Sequence, residues 1–66
     1  MNLTINGESR SFEGLADVEG LVAALGLDAR KVAVERNLEI VPRSAYGRTP
    51  LADGDRIEIV HFIGGG

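Results

Sequence analysis

At 66 residues the chain has room for one small domain, since below about 70 to 80 residues a single core is already thin. Its 44% apolar and 26% charged residues are the composition of a folded domain rather than a disordered one, and a net charge of −3 argues against nucleic acid as a partner. With no cysteine, disulfides, thiolate zinc sites and cysteine nucleophiles are excluded together.

Met1, Leu3 and Ile5 alternate with Asn2 and Thr4, the period of a strand that buries one face. Asn6-Gly7 follows, a dipeptide suited to a type I′ hairpin because both central residues take positive φ. The chain then returns as a more polar strand over Glu8 to Phe12, at or near the sheet edge, and Glu13-Gly14 ends it. Asp17 is a good helix N-cap, and Val18, Leu21, Val22 and Leu25 repeat at helical spacing behind it. Gly26 closes that helix with Leu27 folding back onto it, while Gly20 near its start costs up to about 1 kcal/mol against alanine.

Val32 to Glu35 and Leu38 to Val41 read as extended segments turning around Arg36-Asn37, with Pro42 as the stop. Ser44 to Thr49 is expected to be a loop or a single helical turn, with Tyr46 over the edge of the core. Asp53-Gly54-Asp55 is a tight turn whose carboxylates cap it, and Arg56 to Ile63 is the last strand. Strand, hairpin, strand, helix and further strands predict a two-layer α+β unit of the β-grasp type. One helix crosses one face of a mixed sheet of four to five strands, with the first and last strands parallel neighbours. The domain is expected to span residues 1–63, with 64–66 as a flexible glycine tail.

In that arrangement Ile57 and Ile59 face the helix with Leu3 and Ile5, and Glu58, Val60 and Phe62 point from the opposite face. An outward valine and phenylalanine beside the tail make these three residues the expected partner-binding patch, although singly exposed apolar residues are also ordinary. His61 shares the parity of Ile57 and Ile59 and is read as a packing or hydrogen-bonding residue. A lone histidine makes no zinc site, so no metal is expected. The acidic residues are read as a solvated surface with no pair suited to acid–base catalysis, and Arg43 as a surface side chain.

The last three residues, Gly64-Gly65-Gly66, follow directly on the most β-prone segment. Without a Cβ, such a tail has only the width of its backbone and fits a narrow tunnel. Three extended residues reach about 10 Å, enough to carry a terminal carboxylate into another protein's active site. A carboxylate is a poor electrophile until it is joined to a good leaving group such as AMP, so activation requires a partner that uses ATP. The plain alternative is a frayed end or a cloning remnant.

Ile40-Val41-Pro42-Arg43-Ser44, the run from Leu51 to Phe62 and the closing glycines closely resemble the ThiS family, the sulfur carriers of thiamine biosynthesis, over nearly the whole chain. The resemblance implies a carrier with no catalytic residues and no bound cofactor. An E1-like adenylyltransferase would use ATP to activate Gly66 as an acyl-adenylate, and sulfur from a cysteine desulfurase system would convert it to a thiocarboxylate. Thiazole synthase would then take the sulfur into the thiazole ring. Gly66 supplies the reacting atoms, Gly65 and Gly64 the slenderness. Leu38 departs from the pattern where such carriers often place a turn glycine, and the tail has three glycines where two suffice. Two rivals share the tail: the small subunit of molybdopterin synthase, and a ubiquitin-like modifier forming isopeptides with lysines. The single lysine, Lys31, would offer few points for branching. The length and the lack of an apolar span or signal sequence set the expected location in the cytoplasm, with no membrane partner.

Overall fold

Alternation in the first eleven residues produces a hairpin of β1 (Asn2–Ile5) and β2 (Glu8–Ser11) in the computed structural model, which describes residues 1–62. The turn is Asn6-Gly7, with φ of 50° and 83° as a type I′ hairpin demands. All four residues of β2 are exposed, in keeping with an edge strand.

Helix α1 spans Val18–Ala24, and the Asp17 carboxylate accepts a 2.8 Å hydrogen bond from the Gly20 N–H. At the other end Gly26, at φ 73°, donates to the Ala23 carbonyl and Leu27 to the Val22 carbonyl, a Schellman closure. Strands β3 (Val32–Arg36), β4 (Glu39–Val41) and β5 (Arg56–His61) complete a five-stranded sheet in the order β2-β1-β5-β3-β4. The β1–β5 pair is parallel, with Ile5 opposite Ile57, and the other pairs are antiparallel. This is the expected two-layer β-grasp arrangement.

The helix buries Val18, Leu21 and Val22 against Leu3, Ile5, Val32, Val34, Val41 and Ile57 of one sheet face. Tyr46 goes deeper than expected: it is part of the core, and its hydroxyl donates to the Val32 carbonyl at 3.3 Å. The segment holding it is a 3₁₀ helix over Arg43–Arg48.

Several boundaries differ from the sequence reading. The last strand, expected to run to Ile63, ends at His61; Phe62 lies beyond it and Ile63 is outside the described residues. Strand β2 stops at Ser11, although the Phe12 N–H still bonds the Met1 carbonyl at 2.9 Å. The second hairpin turns at Asn37-Leu38 rather than Arg36-Asn37, so Leu38 lies outside β4, because Arg36 is still paired with Glu39 and with Ile57. Both Asn37 and Leu38 have positive φ, 51° and 71°. For a leucine the left-handed region costs roughly 1 to 2 kcal/mol, and at 89% exposure Leu38 recovers little of that by packing. Replacing Leu38→Gly is therefore expected to raise stability by about 0.5 to 1 kcal/mol, the relief of strain exceeding the entropy glycine adds to the unfolded chain. A urea midpoint that fails to rise would show that the turn is unstrained.

Candidate functional site

Strand β5 leads to the terminal glycines, and two asparagines hold it from both sides. Asn6 donates its N–H to the Ile57 carbonyl at 2.9 Å, while its side-chain amide accepts from the Ile59 N–H at 2.7 Å and donates to the Ile59 carbonyl at 3.1 Å. Asn37 mirrors it across the strand: its N–H donates to the Arg56 carbonyl and its Oδ1 accepts from the Arg56 N–H. Each is the first residue of a turn with positive φ, so the turn and the clamp come from the same asparagine.

The start of β5 is fixed by Asp55, a buried carboxylate at 7% exposure. Its Oδ2 accepts from Arg36 Nε and from the Ala52 N–H, both at 2.8 Å, and its Oδ1 accepts from Asn37 Nδ2 at 3.0 Å. Burial pushes its carboxyl up. The hydrogen bonds from Asn37, Ala52 and Arg36, with the charge of Arg36, outweigh that and hold it below its ordinary 3.8. Next to it, Asp53 Oδ1 accepts from the Asn2 N–H at 2.6 Å, stitching the turn to β1. The expected turn-capping role is borne out for Asp55, through the Ala52 N–H, but not for Asp53, whose carboxylate bonds the Asn2 N–H of β1 instead. The reading of the acidic residues as a solvated surface is corrected for Asp55, which is buried because three donors from separate segments converge on it.

The sheet face opposite α1 carries the expected patch. Val60 is 61% exposed, Phe62 52%, and Glu58 is exposed beside them. Two residues that the sequence did not single out join this face through the strand register. Glu35 lies directly opposite Glu58 on β5 and opposite Ile40 on β4, and Ile40 is 77% exposed. Facing carboxylates are unfavourable in an isolated sheet, and the exposed apolar groups beside them are not buried by the domain itself. Alternation along Leu38-Glu39-Ile40-Val41 was the available signal for Ile40. It was missed because the parity of a strand does not reveal which face the helix covers.

Gly64, Gly65 and Gly66 lie outside the described residues. His61 faces the helix side by parity but is exposed, since it lies past the end of β1; of the packing or hydrogen-bonding role expected, the packing half does not hold. Among the described residues no cluster of three or more His, Cys, Asp or Glu side chains is arranged to hold a metal, and no helix is long and apolar enough to cross a membrane.

The family model described as "ThiS family" matches residues 3–66. The chain belongs to the ThiS family. Within that setting, it is 40% identical to the sulfur carrier protein ThiS of Bacillus subtilis over 65 residues, covering 97% of this chain and 98% of that one. A crystal structure of the thiamine biosynthesis protein ThiS from Geobacter metallireducens superimposes with a TM-score of 0.85 at 40% identity, each chain covered in full. A thiazole synthase of Paramagnetospirillum magneticum is 61% identical over all 66 residues, but the chain spans only 20% of that protein's length. A ThiS-family segment thus occurs both as a separate small protein and within a chain named for a thiazole synthase.

Proposed function

We propose that this ThiS-family domain carries sulfur for thiazole formation in thiamine biosynthesis, with the carboxylate of Gly66 as the attachment point. In this reading an E1-like adenylyltransferase joins Gly66 to AMP from ATP, a cysteine desulfurase system supplies the sulfur, and thiazole synthase accepts it from the Gly66 thiocarboxylate. The domain contributes no catalytic group. It contributes a rigid root for the tail and a face to dock by, and it works in the cytoplasm.

The observation that carries the proposal is the match to the Bacillus subtilis carrier along essentially its whole length, together with the family match over residues 3–66, which includes the glycine end. The thiazole synthase similarity supports the choice of acceptor, because a protein of that name contains a segment like this one. The clamping of β5 supports the mechanical part. A tail that must reach into another active site gains precision when its root cannot swing; Asn6 grips Ile59 on one side of β5, the Phe62 N–H bonds the Lys31 carbonyl on the other, and Asn37 anchors the far end of the strand at Arg56.

Docking is assigned to the open sheet face around Glu58, Val60 and Phe62, extended by Ile40. Phe62→Asp is expected to leave the far-ultraviolet circular dichroism unchanged and to weaken chain-dependent ATP–pyrophosphate exchange by the adenylyltransferase by about tenfold, the effect of losing one apolar anchor. Exchange unchanged across a titration of the variant would remove Phe62 from the interface.

A further inference from the structure

On the helix side of the sheet, where β1 has ended but β5 continues, lies a groove of about 330 Å³. Its floor is apolar, formed by Ile5 and Ile59 of the sheet and by Leu25 and Leu27 at the closed end of α1. Arg10 and His61 stand in its wall, and its lining among the described residues includes no carboxylate. That is unusual company in a chain of net charge −3. Ile59, Leu25 and Leu27 are only half-buried, so the domain leaves this apolar floor open.

Among the described residues, nothing pairs with the edge of β5 in the groove either. Toward β1, the strand spends Ile57 and Ile59 on Asn6, and the next residue with its backbone turned the same way is His61. Strand β1 ends at Ile5, opposite Ile57, so His61 extends past the hairpin. On its other side the pairing with β3 continues, through Val32 opposite His61 and the Phe62 N–H to the Lys31 carbonyl at 2.8 Å. An open strand edge beside an apolar floor fits an extended polypeptide, whose backbone continues the sheet while one side chain fills the groove.

We propose that this groove is a second docking site, distinct from the open sheet face, for an extended segment of a partner protein that carries an aliphatic residue and, two positions along and so on the same face, a carboxylate. The aliphatic side chain lies over Leu25, Leu27 and Ile59, the carboxylate meets Arg10 and His61, and the backbone pairs with His61 at the edge of β5. The selection of an acidic segment follows from charge: the guanidinium of Arg10 is always protonated, it lies 5.4 Å from the Phe12 ring centroid, and among the described residues it forms no ion pair, not even with Glu8 on the same face of β2. Docking there grips β5 just before the tail, from the sheet face opposite to Val60 and Phe62. The inference does not depend on sulfur being the cargo.

The test uses the full 66-residue chain labelled with nitrogen-15 and the hexapeptide Gly-Thr-Leu-Thr-Glu-Gly, in which leucine and glutamate share one face of an extended chain, acetylated and amidated so that its only carboxylate is the glutamate. Saturable shifts at the amides of Asn6, Arg10, Leu27 and His61, with slowed hydrogen exchange at His61, are expected. Changing the peptide glutamate to glutamine, or making the Arg10→Glu variant of the domain, is expected to weaken binding by about threefold or more, the scale of a surface ion pair. Arg10 is exposed on the edge strand, and an unchanged spectrum away from β2 checks that the variant folds. Three results would each overturn the proposal. They are no saturable shift, equal binding of the glutamine peptide, and shifts centred on Ile40 and Val60 instead. N-acetyl-leucine binding as tightly as the peptide would likewise defeat the polypeptide reading, and concentration-dependent shifts of the chain alone would assign the groove to a second copy of the chain.

Discussion

Asp55→Ala is expected to cost about 2 to 4 kcal/mol, the largest stability loss of any single polar substitution in the domain. A domain of 66 residues holds roughly 3 to 10 kcal/mol in total, so the variant is expected to be substantially unfolded at 37 °C. The reason is convergence. Arg36 of β3, Asn37 of the second hairpin and the Ala52 N–H all donate to this one carboxylate. Alanine leaves three donors without their acceptor, one of them the guanidinium of Arg36, whose side chain is only 31% exposed. Urea unfolding followed by circular dichroism measures the loss, and a change under about 1 kcal/mol would mean that water replaces the carboxylate without difficulty.

The same group sets a pH dependence. In the folded domain its pKa lies below 3.8, so between the folded and unfolded values the unfolded chain binds the extra proton. Stability from Asp55 is therefore complete above about pH 4 to 5 and falls as the pH drops below 3.8 toward the folded pKa. Asp28 also titrates low, at about 2, chiefly through its hydrogen bond from the Arg30 side chain, but that pair sits on the surface. Comparison with Asp55→Asn separates the two: the asparagine variant is expected to show a flatter stability profile between about pH 5 and 3, with any residual slope belonging to other carboxylates.

Gly65→Val is expected to have the reverse character, leaving folding untouched and cutting adenylation and sulfur loading by about a hundredfold or more. A β-branched side chain widens a segment whose proposed task is to thread a narrow channel, and displacement of the reacting carboxylate by about 1 Å is enough for a loss of that order. Circular dichroism and urea midpoints should match the parent chain. Near-normal loading would mean that the channel tolerates width and that the glycines serve only as spacers.

The legible parts of this chain were those written in local pattern. Asn6-Gly7 specified its turn, Asp17 and Gly26 bounded the helix, and the parity of Ile57, Glu58, Ile59 and Val60 sorted β5 into an inner and an outer face as found. What escaped depends on register between distant segments. No local signal brings Arg36 to Asp55 or sets Glu35 against Glu58, because both contacts are created when β3 pairs with β5. The turn at Asn37-Leu38 was misplaced for a related reason. A leucine at positive φ contradicts local preference, and it is held there by the ladder on one side and by Asn37's bonds to Arg56 and Asp55 on the other. The same dependence hid the groove, whose walls come from β1, β2, β5 and the end of α1.

The most direct test of the carrier proposal is intact-mass analysis of the chain after incubation with its adenylyltransferase, ATP and a persulfide-loaded cysteine desulfurase, with fragmentation to locate the change. The expected product has one sulfur in place of one oxygen at Gly66, is trapped by alkylation, and disappears when thiazole synthase and its substrates are added. A Gly66 carboxylate that keeps both oxygens although the adenylyltransferase binds the chain, or a terminus recovered instead as an isopeptide on lysine, would contradict it.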